Sequence, residues 1–113
     1  MQLIDRDELK KKIDSGDDFK LVMVLSAWAF KVKHIPGSIQ INDPPQAMSQ
    51  LKPSDEIVVY CSDEGCSASK YAYHLLTSNG FSNVRRYAGG IADWEANGLP
   101  LEGDWAESEP VIN

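Results

Sequence analysis

The sequence predicts a single α/β domain in which helices flank a mainly parallel sheet. Helical and strand-like patterns alternate along the chain. The apolar runs at residues 19–25 and 56–60 are continuous, as expected for strands that are buried on both faces. The length of 113 residues and the hydrophobic fraction of 42% suit one hydrophobic core.

The elements of the first part of the chain have clear boundaries. Asp5, with Glu8 three residues later, predicts the capped start of a first helix, and residues 15–18 end that helix. A strand over residues 19–25 and a helical turn over residues 27–32 are expected to follow.

The middle of the chain predicts a turn, a short helix and a buried strand. Residues 34–41 form a turn and a short strand, and we expect His34 to hold the turn by hydrogen bonds rather than to act as a proton shuttle. Asp43 precedes two prolines, which a first helical turn tolerates, so a short helix begins there. Residues 56–60 form the next strand, which ends at Cys61.

Beyond Cys61 the apolar residues recur with a period of about 3.6, which predicts a helix. The face of this helix that is expected to be apolar carries Ala68, Tyr71, Ala72, Leu75 and Leu76. An Asn-Gly pair at residues 79–80 ends the helix. Residues 83–89 predict a strand and residues 91–98 a short helix. The last residues have no clear period and are expected to form a tail held by Trp105.

Charge and hydropathy exclude several classes of protein. The net charge is −6 and no basic patch is present, so no nucleic-acid partner is expected. No apolar run approaches the roughly 20 residues of a membrane-spanning helix, and the N-terminus does not resemble a signal peptide. Two cysteines and two histidines match no standard zinc spacing, so no metal site is predicted. We expect a cytoplasmic monomer with no membrane partner and no cofactor.

A strand, a loop of small and acidic residues, and a helix follow one another around Cys61. Sites in parallel α/β domains form at the carboxyl ends of strands, where the free N–H groups of the next helix favour an anion. Cys61 would therefore become a thiolate, the nucleophile of sulfur, disulfide and phosphoryl chemistry, more readily than a free cysteine. Alternatively, Cys61 is a small buried residue at a strand end. Ser67 and Ser69 could donate hydrogen bonds there, but both also suit a helix start.

Four sequence blocks occur in a characteristic order and spacing within about residues 3–101. They read "LVMVLSAWAF", "HIPGSIQI", "VVYCSDEGCSAS" and "LLTSNGFSNVRRYAGGIADWEANGLPL". Together they resemble the rhodanese-like (sulfurtransferase) domain family of the single-domain type. The resemblance implies a sheet of five mainly parallel strands flanked by helices. It also implies a rhodanese-like domain over residues 1–103 and a C-terminal tail over residues 104–113.

The resemblance assigns a role to Cys61, which stands in the place of the family's catalytic cysteine. It implies that Cys61 takes sulfane sulfur from thiosulfate or a persulfide donor, carries it as a persulfide, and passes it to a thiol or cyanide acceptor. Donor and acceptor can be small molecules or proteins. The residues whose loop is expected to cradle the sulfur are Ser62, Asp63, Glu64, Gly65, Cys66 and Ser67. The short loop argues against the related phosphatases, whose loop is one residue longer.

Some positions depart from the family pattern. Cys66 stands where the loop often ends in an arginine, and residues 23–25 read Met-Val-Leu where Asp-Val-Arg is usual. The charges expected around the site are thus missing, and two loop carboxylates add negative charge that opposes an anionic donor. The adjacent Arg85 and Arg86 point to opposite faces of a strand, so one of them could approach the loop.

Cys66 leaves two interpretations open. It could resolve a persulfide or sulfenic acid on Cys61 as a disulfide, if the two Cα atoms lie within roughly 7 Å. It could instead fill the first turn of the helix, with both cysteines remaining thiols in a reducing cytosol. For the whole chain, the alternatives to a sulfurtransferase are a non-catalytic rhodanese-like module that binds a partner and a thiol redox enzyme that uses both cysteines.

Overall fold

The computed structural model describes residues 1–105 of the chain, and helices and strands alternate in that part. The helices are α1 (Arg6–Asp14), α2 (Ala27–Val32), α3 (Pro44–Gln50), α4 (Ala68–Ser78) and α5 (Gly90–Ala96). The strands are β1 (Lys20–Met23), β2 (Ser38–Gln40), β3 (Ile57–Tyr60) and β4 (Val84–Arg86).

The strands form one parallel sheet in the order β2-β1-β3-β4, which confirms the predicted α/β class. The described residues contain 4 strands in this sheet instead of the expected five. Leu3 makes only a single parallel bridge to Arg86, where Ile4 N donates to Arg86 O at 3.1 Å. Because Asp5 already caps α1, the segment before this helix is too short to extend the bridge into a strand.

β3 is the central strand, since it pairs with β1 on one side and with β4 on the other. All of its residues are fully buried. Ile57 and Val59 pack into one apolar cluster, whereas Val58 and Tyr60 pack into a second cluster on the opposite face of the sheet. This double burial explains the continuous apolar run in the sequence, because the strand has no side that faces solvent.

The predicted cap of α1 and the predicted start of α3 after Asp43 are confirmed, and Asp43 also caps α3. Asp5 Oδ1 accepts a hydrogen bond from Glu8 N at 2.8 Å. Asp43 Oδ1 accepts one from Gln46 N, also at 2.8 Å. Each bond satisfies a backbone donor that has no partner within the helix.

The buried face of α4 agrees with the expected one at Leu76, which is buried, and at Ala68 and Ala72, which pack against the apolar cluster, but it differs at other positions. Tyr71 is 63% exposed, whereas Ser69 and Tyr73 are buried. The Tyr73 hydroxyl accepts a hydrogen bond from Gln2 N at 3.0 Å. Apolar periodicity could not identify these positions, because a buried hydroxyl needs partners from distant parts of the chain.

The hydroxyl of Tyr60 holds the turn before β2. It accepts a hydrogen bond from Ile35 N at 3.0 Å and lies 2.9 Å from Ser38 Oγ. His34 stacks on Phe30 and donates from Nδ1 to Phe30 O at 2.7 Å, in agreement with the expected structural role. The turn is therefore attached to the central strand from inside the core.

The chain beyond α5 returns to α2. Trp105 lies edge-on against Trp28, with ring centroids 6.0 Å apart, in agreement with the expectation that Trp105 holds the tail. The rest of that expected tail, residues 106–113, lies outside the described residues, and the domain boundary at residue 103 stays a prediction. Within residues 1–105, no helix combines the length and apolar character needed to cross a bilayer.

α5 begins against the backbone that follows β3. Ile91 N donates to Cys61 O at 3.0 Å, and Ala92 N donates to Ser62 O at 2.8 Å. Gly90 has a φ of +64°, and a Cβ atom added there would lie 2.9 Å from the carbonyl carbon of Ser62. Position 90 therefore requires glycine for both its conformation and its close approach to the loop.

We expect Tyr60→Phe to lower the free energy of unfolding by about 1–3 kcal/mol, because the N–H group of buried Ile35 loses its acceptor. Urea unfolding followed by circular dichroism measures the change. Tyr71→Phe is the matched control, since Tyr71 is exposed. Equal unfolding midpoints for Tyr60→Phe and wild type would contradict this role of the hydroxyl.

The same hydroxyl predicts a dependence of stability on pH. Burial raises the pKa of Tyr60 from 10.0 to about 12, against the opposing effect of its hydrogen bond with Ser38. The unfolded chain loses this proton more readily, so the stability from Tyr60 is complete below pH 10.0 and is lost as the pH rises toward about 12. Unfolding midpoints in this range should fall more steeply for wild type than for Tyr60→Phe, and parallel slopes would refute the assignment.

Gly90→Ala should destabilise the protein more than Gly98→Ala. Gly98 has a φ of +71° and nothing within 4 Å of an added Cβ, so alanine there meets only backbone strain of about 1–2 kcal/mol. At Gly90 the contact with the loop backbone adds about 1–3 kcal/mol. Thermal unfolding of the two variants gives the difference in their melting temperatures. Equal decreases in melting temperature would contradict an added contact between position 90 and the loop backbone.

Candidate active site

Cys61 lies at the carboxyl end of the central strand, where residues 62–67 lead into α4. Its side chain is 1% exposed and belongs to the same apolar cluster as Ile57 and Val59. Strand alternation accounts for this position, because Cys61 continues the face of those two residues. The fold thus brings a cysteine to the edge of the sheet at which sites form in parallel α/β domains.

The loop after Cys61 closes on itself through Asp63. The Asp63 carboxylate accepts a hydrogen bond from Gly65 N at 3.0 Å, and its carbonyl accepts one from Cys66 N at 3.1 Å. Two of the amides expected to cradle sulfur are therefore bonded to Asp63. The exposed residues of the loop are Ser62, Asp63, Glu64, Gly65 and Ser67.

A disulfide joins Cys61 to Cys66 across this loop, with the Cα atoms 6.5 Å apart. The interpretation of both cysteines as thiols in a reducing cytosol therefore differs from the structure, in which no described cysteine is free. The turn at Asp63 explains the difference, because it brings the two Cα atoms within the distance that a disulfide spans. Cys66 is half-buried and packs against the apolar cluster that contains Cys61.

Ser69 and Arg86 form a chain of polar contacts with Cys61. Arg86 Nε donates to Ser69 Oγ at 2.8 Å, and Ser69 Oγ lies 3.3 Å from Cys61 Sγ. A disulfide sulfur has no hydrogen and the Ser69 oxygen already accepts from Arg86, so the serine hydroxyl is the donor toward sulfur. The sequence left Ser69 open between a donor at this site and a helix-start residue; it lies in the first turn of α4, and its 1% exposure and its partners also place it beside Cys61.

Arg86 supplies a positive charge and corrects the expectation that charges are missing around the site. Its side chain is 4% exposed, and Nη2 donates to Glu64 O at 3.2 Å. Arg85, on the opposite face of β4, instead pairs with Glu8 at 2.9 Å. The cation therefore comes from a neighbouring strand and not from the loop. The alternation of side chains along the strand offered Arg85 and Arg86 as candidates. Arg86 is the one that reaches the site, because its side chain points to the face on which α4 carries Ser69.

The segment that replaces the family's Asp-Val-Arg is apolar in its structural setting too. Met23 and Val24 are buried, and Leu25 is half-buried against both apolar clusters. No charged side chain reaches the site from this segment. The departure noted in the sequence is thus a replacement of charge by core packing.

An open cleft of about 600 Å³ borders the loop and is mainly acidic. Its charged lining residues are Asp5, Arg6, Asp7, Glu8, Glu64 and Asp93. Asp93 accepts hydrogen bonds from Arg6 Nη1 at 3.2 Å and from the Tyr87 hydroxyl at 2.6 Å. Burial, and then the Asp93 carboxylate, raise the pKa of Tyr87 above its ordinary value. The field at this side of the loop disfavours small anions.

Known proteins resemble this chain in both sequence and structure. A family model described as the rhodanese-like domain matches residues 5–97. A protein named sulfurtransferase from Allochromatium vinosum is 28% identical over 100 residues, which cover 87% of this chain and 92% of that protein. The solution NMR structure of the rhodanese-like domain of the Alr3790 protein from Anabaena superposes with a TM-score of 0.86 at 28% identity, over 100% of this chain and 87% of that one.

A human single-domain sulfurtransferase superposes with a TM-score of 0.70 at 25% identity, over 85% of this chain and 96% of that one. The residues that the family model matches include the four strands of the sheet, the loop after Cys61 and α5. Since the family model covers most of the chain, this protein belongs to the rhodanese-like domain family, as its sequence predicts.

Proposed function

We propose that this protein is a sulfurtransferase that carries sulfane sulfur as a persulfide on Cys61. The observation behind the proposal is the set of contacts from Arg86 through Ser69 to Cys61. A buried cation is unfavourable unless an anion lies nearby, and within residues 1–105 no ion pair includes Arg86. A thiolate or persulfide on Cys61 is the anion that would balance this charge.

Sulfur loading begins once a thiol has opened the disulfide, because the attack needs a free thiolate on Cys61. The thiolate attacks the outer sulfur of thiosulfate or of a persulfide, and the bond behind that sulfur breaks. Sulfite leaves in the first case and a thiolate in the second, each with the bonding electron pair. The terminal sulfur of the new persulfide is anionic, and the Ser69 hydroxyl and the charge of Arg86 stabilise it.

The amides of residues 62–67 are the proposed cradle for this terminal sulfur. Gly65 N and Cys66 N become available when the turn at Asp63 opens. In the second half of the cycle, a thiol or cyanide attacks the terminal sulfur. Cys61 then leaves as the thiolate with which the cycle began, and no net oxidation or reduction of the protein has taken place.

The charges around the loop favour some donors over others. Thiosulfate is a dianion, and it must approach past exposed Asp63 and the acidic cleft beside Glu64. The persulfide group of a small thiol or of a protein carries one negative charge, whereas thiosulfate carries two, so the carboxylates repel the persulfide group less. We therefore propose a persulfide as the preferred donor and thiosulfate as the weaker one.

A second candidate function is thiol redox catalysis, which the disulfide between Cys61 and Cys66 favours. In that case the protein would exchange its disulfide with substrate dithiols without carrying sulfur. The two functions differ in the mass of the treated protein, since only the first one adds a sulfur atom.

Reduced protein incubated with a glutathione persulfide donor should first gain one sulfur atom, before any disulfide closes, and Cys61→Ser should gain none. Intact-protein mass spectrometry, with thiosulfate as a second donor, measures the mass of the added sulfur. It also shows the loss of two hydrogen atoms if the two cysteines form their disulfide. Circular dichroism of Cys61→Ser confirms that it is folded. Sulfur addition to folded Cys61→Ser at the wild-type level would refute the assignment of Cys61. Disulfide formation without prior sulfur uptake would favour the redox function.

Ser69→Ala should slow the alkylation of reduced Cys61 by iodoacetamide at neutral pH by about tenfold or more. A hydrogen bond to a charged group contributes about 1.5–3 kcal/mol, and its loss makes the thiolate less populated. The measurement uses a Cys66→Ser background so that only Cys61 reacts. Ser67→Ala is the matched control, because Ser67 is exposed and makes no side-chain cap bond. Equal rates for the two variants would exclude a role of Ser69 at the sulfur.

A further inference from the structure

We propose that Cys66 is a built-in acceptor that discharges the Cys61 persulfide as hydrosulfide. The Cys66 thiol gives up its proton, which ends on the anionic outer sulfur, and the Cys66 sulfur attacks Cys61 Sγ; the bond from Cys61 Sγ to the outer sulfur breaks, and hydrosulfide leaves with the electron pair. The product is the disulfide between Cys61 and Cys66. This inference rests on the proposed function, because it needs a persulfide on Cys61, and it adds a sulfide-releasing activity to it.

The geometry of the loop supports an internal attack. The product disulfide already occurs in the structure, with the Cα atoms 6.5 Å apart and the two cysteines separated by 5 positions. The bond from Cys66 N to Asp63 O, at 3.1 Å, holds the loop in the tight turn that this contact needs. Cys66 therefore reaches Cys61 without rearrangement of the sheet or of α4.

The sulfur that Cys66 contacts determines the product of the reaction. Attack on the outer sulfur would move the persulfide from Cys61 to Cys66 and release nothing. Attack on Cys61 Sγ, the atom that Cys66 meets in the structure, closes the disulfide and expels hydrosulfide. Hydrosulfide is a weaker base than a cysteine thiolate, and the less basic thiolate is the better leaving group in such exchanges.

The surroundings of the loop favour an internal acceptor over an external one. Cys61 is 1% exposed, and an anionic acceptor must pass Asp63 and the acidic cleft at Glu64. Cys66 does not have to pass these carboxylates, because it is half-buried against the same apolar cluster as Cys61. The reaction of Cys66 is unimolecular, so it avoids the translational and rotational entropy that a second molecule would lose on binding.

The electrons of the complete cycle balance with a thiol reductant. In the resolving step, the outer sulfur is reduced to hydrosulfide while the two cysteine sulfurs are oxidised to a disulfide. Two thiols, or one dithiol, then reopen the disulfide and are themselves oxidised to a disulfide. The net reaction converts one persulfide and two thiols into hydrosulfide, the thiol of the donor and one new disulfide.

A single-turnover experiment without oxygen tests this step. Full-length protein is reduced with dithiothreitol, freed of reductant by gel filtration, and mixed with one equivalent of glutathione persulfide or of thiosulfate. Hydrosulfide is trapped with monobromobimane, and the intact mass is recorded over time. Wild type is compared with Cys66→Ser, which keeps the backbone amide of residue 66, and with Cys61→Ser, which gives the background release from the donor.

We expect wild type to release about one equivalent of hydrosulfide and to end two hydrogen atoms lighter than the reduced chain, with no thiol added. Cys66→Ser should hold the added sulfur and release less than about a tenth as much hydrosulfide until an external thiol is supplied. If Cys66→Ser misfolds by circular dichroism, Cys66→Ala replaces it, and the wild-type mass change remains a test by itself.

Two other outcomes would overturn the inference, and they are distinguishable. If wild type and Cys66→Ser both keep the sulfur and release none, the proposed function stands but Cys66 is no acceptor. If neither chain ever gains sulfur or releases hydrosulfide above the Cys61→Ser background, the proposed function fails and this inference fails with it.

Discussion

The burial of one guanidinium connects the fold of this protein with its chemistry. The backbone of Arg86 holds the N-terminal segment at the sheet edge, and its side chain reaches Ser69 on α4 and the carbonyl of Glu64 in the loop. Removing such a charge from water is unfavourable by several kcal/mol unless hydrogen bonds and an opposite charge compensate for it. The last strand, the helix and the loop are therefore arranged around a single group that requires an anion.

The origin of this charge affects what the loop can do. Related loops often end in an arginine, which combines charge with position in one residue. Here β4 provides the cation from below the loop, so position 66 does not have to provide it. A thiol can then occupy this position without leaving the site uncharged, and the loop can contain two sulfur atoms. Met23, at the end of β1, and Val24, which follows it, are buried and apolar, so this segment provides core contacts instead of charge.

The helices and strands could be predicted from the sequence where the interactions that define them join residues close together in the chain. α2 occupies the predicted residues 27–32, and Asp5 and Asp43 cap their helices through bonds that span three residues. Cys61 stood out for the same reason, because its strand, loop and helix are contiguous. The sequence offered both Ser67 and Ser69 as donors but could not choose between them, since Arg86, the partner of Ser69, lies 17 residues further along the chain. The fifth strand was expected from the family, but the early start of α1 leaves only a bridge at Leu3.

The short span between the two cysteines separates their redox state from the stability of the fold. In the chain-entropy account, a cross-link stabilises a protein by restricting its unfolded chain, and the effect grows with the logarithm of the ring size. Cysteines separated by 5 positions close a small ring, worth about 2 kcal/mol, compared with about 4.7 kcal/mol for a ring of a hundred residues. Cys61 belongs to one of the two clusters on either side of β3, and the other buried members of both clusters lie outside this ring. The protein can therefore pass between its dithiol and disulfide states many times while remaining folded, which is a requirement for any repeated turnover at this loop.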